Sequence, residues 1–319
     1  MEKRIKGACE MEFINFVNQD KELTDWDYDS KSQYVILANH SQMTTLNLKI
    51  KQLIAPKNCH THRKLPVRFE SLDSADFFSY LFFDQEKKES IFIFEKFSLY
   101  LTQNLLIFEV EKHGKLHQDF IEELSQIVTK DSTVNSVYLG IIDLSLSRMF
   151  ESAYEFEEKL TSVENQIITT EMDFKIDEII KLKNQCFKAK KYMRMLLYVS
   201  DDLMLNRNHL LTKHDMLVVQ NIDLRINRVY DYLLNLYEMS AHLLEIYDST
   251  INAVTNDTIN KLTVFTVFAT PITVISGIYG MNFVNMPELR NPNGYFIVLG
   301  IMAVIMVVIY FVLKKLKLL

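Results

Sequence analysis

Glycine and proline are scarce in this chain of 319 residues, seven and five in all, and residues 141–270 contain neither. A stretch that long without a breaker, rich in Leu, Ile, Met, Glu, Lys and Asn, excludes a succession of tight turns and predicts long helices. Cysteine is scarcer still. Cys9, Cys59 and Cys186 are odd in number and widely spaced, which excludes a disulfide framework and fits a reducing compartment. The positive charges near Met1 are followed by no apolar run, which argues against a signal peptide. No Gly-x-x-x-x-Gly-Lys-Ser/Thr segment occurs, so there is no P-loop and no sign of ATP use, and no Ser/His/Asp or Cys/His grouping can be assembled. The cluster Cys59-His60-Thr61-His62 lacks a second ligand pair and reads as an exposed loop rather than a metal site. The chain is expected not to be an enzyme.

Charge is missing from two further places. No charged residue lies between Lys261 and Glu288, and none between Arg290 and Lys314. Residues 262–319 hold one acid, Glu288, and four bases, Arg290, Lys314, Lys315 and Lys317. Residues 1–261 therefore keep 31 of the 35 basic and 40 of the 41 acidic residues, a net charge of −9. Mean hydropathy near zero hides this division into an acidic soluble part and an apolar end with a basic tail. No nucleic-acid partner is expected.

Before residue 130 the texture is mixed. Tyr34–Leu37, Ile91–Phe94, Ser98–Leu101 and Leu105–Val110 are β-favouring runs of strand length, and Leu116–Val128 has the spacing of an amphipathic helix. An α/β domain over 1–130 is expected. Long helices should fill 131–259, with one or two over 141–200 and a turn near Asn206–Asp215. From about Met216 the apolar positions Ile222, Ile226, Val229, Leu233, Leu236, Leu243, Tyr247, Ile251 and Val254 fall mostly three or four apart, as in coiled-coil packing. The pattern enters the uncharged stretch without a break. One helix over 216–281 would be about 100 Å long at 1.5 Å per residue.

Leu262–Tyr279 and Tyr295–Leu313 are each long enough to cross about 30 Å of hydrocarbon. They predict a first transmembrane helix over 260–282, an outer loop over 283–294, a second helix over 295–313 and a basic tail over 314–319. The short loop puts both termini on one side, and the flanking lysines put that side in the cytoplasm, at the cell membrane. Two helices cannot enclose a water-filled path, so transport would require several copies around one pore. The first span offers a polar stripe: Thr266, Thr270, Thr273 and Gly277, extended downward by Leu262, Ile259, Asn256, Asn252, Asp248 and Glu245. Small hydroxyl residues also let membrane helices pack closely, and the stripe alone leaves both readings open. The second span is aliphatic and aromatic and reads as lipid-facing.

Tyr279-Gly280-Met281-Asn282-Phe283 closes the first span, and Met286-Pro287-Glu288-Leu289 follows in the loop. With the two spans and the basic tail, this segment resembles the CorA-type magnesium transporters, most closely over 256–319. The resemblance implies a funnel-shaped homopentamer in membrane lipid, conducting Mg2+ and possessing an α+β fold: N-terminal cytoplasmic α/β domains, long stalk helices and a C-terminal two-helix hairpin. It implies a selectivity ring at Gly280, Met281 and Asn282, and polar pore positions at Asn256 and Thr273. It also implies a hydrophobic constriction at Ile259 and Leu262, an inner acidic ring at Glu245 with Asp248 near it, and a cation-attracting loop acid at Glu288. Intracellular Mg2+ would act as a regulatory ligand as well as the transported ion. Co2+, Ni2+ or Zn2+ transport on the same scaffold is the alternative, as is a membrane-anchored sensor.

The chain also departs from the family pattern. Val284 stands where an acid often follows Gly-Met-Asn-Phe, and Thr270 where a bulky apolar pore residue is common. Asn221 stands at the regulatory acid of the long helix, with Asp223 nearby, so either the regulatory metal site is shifted to Asp223 or feedback by internal magnesium is weakened.

Overall fold

The structure is a computed structural model. It describes residues 3–5, 11–15, 32–44, 48–54, 65–86, 91–110, 116–128, 132–169, 175–282, 286 and 291–316. Cys59, His60, His62, Val284 and Glu288 lie outside the described residues. The chain divides into two compact units, Met1–Leu244 and Glu245–Leu319.

The first unit is built on a seven-stranded sheet. Its strands are β1 (Lys3–Ile5), β2 (Met11–Asn15), β3 (Gln33–Asn39), β4 (Arg68–Ser71), β5 (Asp76–Glu86), β6 (Ile91–Leu101) and β7 (Leu105–Val110). They lie in the order β1-β2-β3-β7-β6-β5-β4. The pairs β2/β3 and β3/β7 are parallel and the other four antiparallel. The two parallel pairs meet at β3, which is buried from Tyr34 to Asn39, as parallel strands covered on both faces must be.

Alternation sorts the side chains. Tyr34, Ile36 and Ala38 of β3 pack with Leu105 and Ile107 of β7 and with Ile50 of α2 (Leu48–Ile54), while α1 (His40–Thr44) follows β3 directly. An aromatic core gathers Phe82, Phe97, Phe108 and Phe120, the last from α3 (Leu116–Ile127). Phe82 and Phe97 stack at 4.8 Å, and Phe97 meets Phe108 at 4.9 Å and Phe120 at 5.1 Å. Helix α4 (Val134–Thr169) lies against β5, with Ser145 Oγ 2.8 Å from the Tyr80 hydroxyl and Phe156 stacked on Phe92 at 4.4 Å.

Two sequence expectations change here. Ile91–Phe94 and Ser98–Leu101 are one strand, β6, because Glu95 and Lys96 stay in the ladder opposite Phe82 and Leu81. The long strand β5 was not foreseen; its Asp-Phe-Phe-Ser-Tyr-Leu-Phe-Phe segment has no flanking glycine or proline to mark it.

Beyond α4 come α5 (Ile176–Met204) and α6 (Lys213–Tyr279), so the breaker-free stretch holds two helices before the last one. Their facing ladders share one spacing. Ile179, Leu182, Cys186, Ala189, Met193, Leu196, Ser200 and Leu203 are buried on α5. Val219, Ile222, Ile226, Val229, Leu233, Leu236, Ser240 and Leu243 are buried on α6. Alternating steps of three and four make an antiparallel seam of knobs and holes. Ser200 Oγ donates to Asp223 Oδ1 at 2.6 Å across it, and Lys190 lies 3.5 Å from the centre of the Tyr237 ring. Burial pushes the Cys186 thiol up to about 12, so it is an inert packing residue.

The turn before α6 is pinned from three sides. Asn206 adopts φ 42°, which asparagine tolerates, and its side chain bonds Leu211 at both N and O. Thr212 and Asp215 form a capping box, Thr212 N donating to Asp215 Oδ2 at 2.8 Å and Asp215 N to Thr212 Oγ1 at 3.2 Å. Asn135 Nδ2 donates to Leu210 O and Asp215 Oδ2. Asn208 Nδ2 reaches the sheet, donating to Leu72 O at 2.7 Å, Ala75 O at 3.1 Å and Asp76 Oδ1 at 2.8 Å.

Asn208→Ala strips donors from a carboxyl group that is 2% exposed. It should cost about 1–3 kcal/mol, the scale for a buried acceptor left unpaired, read by thermal unfolding of the detergent-solubilised protein. Burial raises the Asp76 pKa, so the native state holds its proton more tightly than the unfolded chain. That contribution is fully present below the ordinary value of 3.8 and is lost as pH rises through the native pKa. Asp76→Asn should remove this part of the pH dependence of unfolding.

Candidate functional site

The second unit is the remainder of α6 and α7 (Gly294–Lys315). Both helices are long and apolar enough to cross a membrane, and the most apolar window is 0% buried in α6 and 6% in α7. Phe265, Phe296, Val304 and Phe311 are each 63–70% exposed. Apolar surface on this scale is not left in water.

Every stripe position lies on α6 and is exposed, from Glu245 and Asp248 through Asn256, Ile259 and Leu262 to Thr266, Thr270, Thr273 and Gly277. On the same helix Val264, Phe268, Pro271 and Ile275 are half-buried. The two sets have the same spacing and are offset by two residues, about 200° round a helix. The polar stripe is therefore on the face opposite the packing face, which argues against a role in gripping α7.

The hydroxyls on this stripe are already committed as donors. Thr266 Oγ1 donates to Leu262 O at 2.9 Å, Thr270 Oγ1 to Thr266 O at 2.7 Å and Thr273 Oγ1 to Ala269 O at 2.9 Å. A back-bonded hydroxyl costs little in lipid and turns its oxygen lone pairs outward. What the stripe presents is acceptor oxygen, the group that suits a hydrated cation.

The helix ends where the motif begins. Gly280 N bonds Ser276 O at 2.9 Å and Met281 N bonds Ile278 O at 3.2 Å. Gly280 does not take a left-handed cap conformation. Its need for glycine is one of space, since a Cβ there would stand 3.1 Å from Ser276 O. Asn282 follows, exposed, with no side-chain hydrogen bond among the described residues. Tyr279 and Tyr295 flank a cavity of about 550 Å³ between the facing ends of α6 and α7, with Ser276, Asn291 and Val298 also in its wall. At the other end of α7, Lys314 Nζ lies 6.0 Å from the Tyr310 ring centre. Aromatic rings near both helix ends match the belts of membrane interfaces.

In the first unit Asp223 is occupied. Besides Ser200, its Oδ2 lies 3.4 Å from Asn227 Nδ2. Among the described residues no group of three His, Cys, Asp or Glu side chains could hold a metal within one chain. The sequence reading missed two charged contacts that hold this unit together. Arg225 bonds Asp143 and, at 2.6 Å, Ser147, and Arg148 stands 3.4 Å from Asp84 and 3.7 Å from Glu123. Neither has a local sequence signal, because the partners lie far apart along the chain.

The sequence profile of the CorA-like Mg2+ transporter proteins matches residues 37–315. The chain belongs to this family. A relative from Thermotoga maritima, the cobalt/magnesium transport protein CorA, is 25% identical over 225 residues, 70% of this chain and 64% of that protein. The chain thus spans just under two thirds of that relative's length. The cobalt/magnesium transport protein CorA of Methanocaldococcus jannaschii is 27% identical over 234 residues, 68% of this chain and 69% of that protein. In fold, the chain is similar to the complete structure of the CorA magnesium transporter from Methanocaldococcus jannaschii, with TM-score 0.69 and 18% identity over 86% of this chain and 85% of that one. It is also similar to the full-length CmaX protein, with TM-score 0.61 and 15% identity over 80% of this chain and 79% of the other. The family and the fold together make this an α+β membrane protein: an N-terminal α/β domain, a long helix and a C-terminal apolar helix.

Asp223→Asn keeps an acceptor for Ser200 and should shift stability by less than about 0.5 kcal/mol. Asp223→Ala removes it and should cost about 1 kcal/mol. Chemical denaturation of the two variants side by side measures the difference.

Proposed function

We propose that this protein is a magnesium channel, in which several copies bring their α6 stripes around one axis and hydrated Mg2+ enters the cell passively. The observation that carries this reading is the exposed stripe of acceptor oxygens opposite the packing face of α6, ending at Gly280-Met281-Asn282. Five copies, the assembly implied by the sequence resemblance, would set five Asn282 side chains in a ring. Magnesium sheds its water reluctantly and keeps octahedral geometry. A ring of amide carbonyls accepts hydrogen bonds from the hydration shell and selects the hydrated ion without stripping it. Thr273, Thr270, Thr266 and Asn256 would carry the ion onward, and Ile259 and Leu262 would form a constriction that gates by dewetting. Glu288 would gather cations at the outer mouth, and Glu245 and Asp248 at the inner end.

No fuel is required. A divalent ion gains about 4.6 kcal/mol per 100 mV of inside-negative potential. Lys261, Lys314 and Lys315 at the inner ends of the spans support cytoplasmic termini and a place in the cell membrane. Cobalt is the second cargo, since the Thermotoga and Methanocaldococcus relatives carry it in their names. A passive anchor for a sensor domain is disfavoured, because an anchor has no use for a polar face directed away from its partner helix.

Uptake of Mg2+ and Co2+ into liposomes containing only this protein is the direct test. Asn282→Ala should abolish Mg2+ uptake while native mass spectrometry still finds the same assembly. A variant that assembles and conducts at the normal rate removes the selectivity ring. Regulation by internal Mg2+, with Asp223 among the ligands, predicts that millimolar Mg2+ slows proteolysis of the soluble part. Equal cleavage with and without Mg2+, and flux indifferent to internal Mg2+, would leave these acids without a regulatory role.

A further inference from the structure

One imidazole lies on the face of α6 that the channel reading sets around the axis. In the first unit Asp231, Asn235, Glu238 and His242 are exposed. Each follows by two residues a buried member of the seam with α5, namely Val229, Leu233, Leu236 and Ser240. Two residues are about 200° round a helix, the same offset that sets the threonines of α6 opposite their packing face. Continued at steps of three and four, the line of Glu238 and His242 reaches Glu245, Asp248 and Asn252. His242 is the only histidine after His214. Every other metal-binding group on this line between Asp231 and Gly277 offers oxygen.

That single nitrogen sorts divalent ions. Mg2+ takes oxygen ligands and keeps its water, so an imidazole offers it no inner-sphere bond. Co2+, Ni2+ and Zn2+ take imidazole readily. Glu238 stands one turn before His242, and at i, i+4 spacing the two Cβ atoms are about 5–6 Å apart on one face. A carboxylate and an imidazole so placed are two ligands for one ion, supplied by one chain. Water completes the coordination in a single copy, in keeping with the lack of a three-ligand group among the described residues. In a ring of copies the imidazoles repeat at one height, and an ion there draws further ligands from its neighbours.

We propose that His242, with Glu238 beside it, is a binding site for imidazole-seeking divalent ions, Ni2+, Co2+ and Zn2+, on the ion path. Its effect on flux rests on the channel reading; the two-ligand pair is present in each chain by itself. Mg2+ passes this height as a hydrated ion, while the transition metals exchange water for nitrogen and are held. An ion held there repels the next Mg2+ and slows it. The path thus discriminates by ligand type at His242, a criterion separate from the hydration shell read at Asn282.

Ni2+ is the probe. The full-length protein, with His60 and His62 replaced by glutamine so that neither supplies imidazole, is reconstituted in liposomes. Mg2+ uptake is measured against rising Ni2+ on both sides, each sample scaled to its own uptake without Ni2+. Metal sites lose about 10–100-fold in affinity when only a supporting outer-shell group is removed. Loss of the imidazole itself in His242→Gln should therefore raise the half-inhibiting Ni2+ concentration about tenfold or more. Glu238→Gln keeps the imidazole and should give a smaller rise. Both side chains are exposed, so neither substitution opens the core. Equal half-inhibiting concentrations in the parent and both variants overturn the site and leave the channel reading standing. Calorimetric titration of Ni2+ into the same proteins in detergent decides the case in which none of them conducts. Binding that His242→Gln weakens then keeps the metal site and removes the channel, and binding indifferent to the substitution removes both.

Discussion

A threonine hydroxyl at membrane depth must give its proton to something, because hydrocarbon offers no acceptor. On α6 each of Thr266, Thr270 and Thr273 gives it to the carbonyl four positions back along its own helix. That local solution has two consequences. The helix can carry a polar stripe without a partner helix to satisfy it, and the exposed edge of the stripe is left as acceptor oxygen alone. Pro271 belongs to the same region and lacks the N–H that the Val267 carbonyl would receive. Pro271 is half-buried, on the face opposite the stripe, so that carbonyl does not join the oxygens of the stripe. A face of this kind repels anions and offers acceptor oxygen to a hydrated cation.

The first unit holds its own half of α6 by two separate means. The antiparallel seam of α5 and α6 fixes the first half of the long helix along eight buried positions. The turn before α6 is fixed separately, by Asn206 to Leu211, Asn135 to Leu210 and Asp215, and Asn208 to the β4–β5 turn. These short asparagine side chains bond backbone groups that a turn leaves exposed and, at Asp215 and Asp76, carboxylates beside it.

The sequence made the long helices and the apolar spans legible, because both depend on local periodicity and on the absence of charge and breakers. Strands β3 and β7 were readable for a related reason, being continuous apolar runs. Strand β5 was not, because its boundaries are set by pairing with β6 rather than by turn residues. The break expected inside β6 was an error of the same kind, since two polar residues in a ladder do not end it when the opposing strand continues. At the candidate site, the stripe and the motif were readable, but the back-bonding of the threonines and the half-buried face opposite them were not. The half-buried face depends on where α7 lies, which the local sequence does not state, and the back-bonding is a rotamer choice made within α6 itself. The polar bonds of Asp223 were likewise invisible, because Ser200 comes from another helix.

Charge connects the two units in the proposed channel. Each soluble part carries −9, and Asp231, Glu238, Glu245 and Asp248 recur along α6. Copies brought side by side repel unless cations lie between them, and near a protein surface a pair of like charges 4 Å apart costs about 4 kcal/mol. The ion being conducted is also the ion best suited to relieve that repulsion. Internal Mg2+ would then tighten the contacts between soluble parts, and the seam and the pinned turn would carry that tightening to the start of α6.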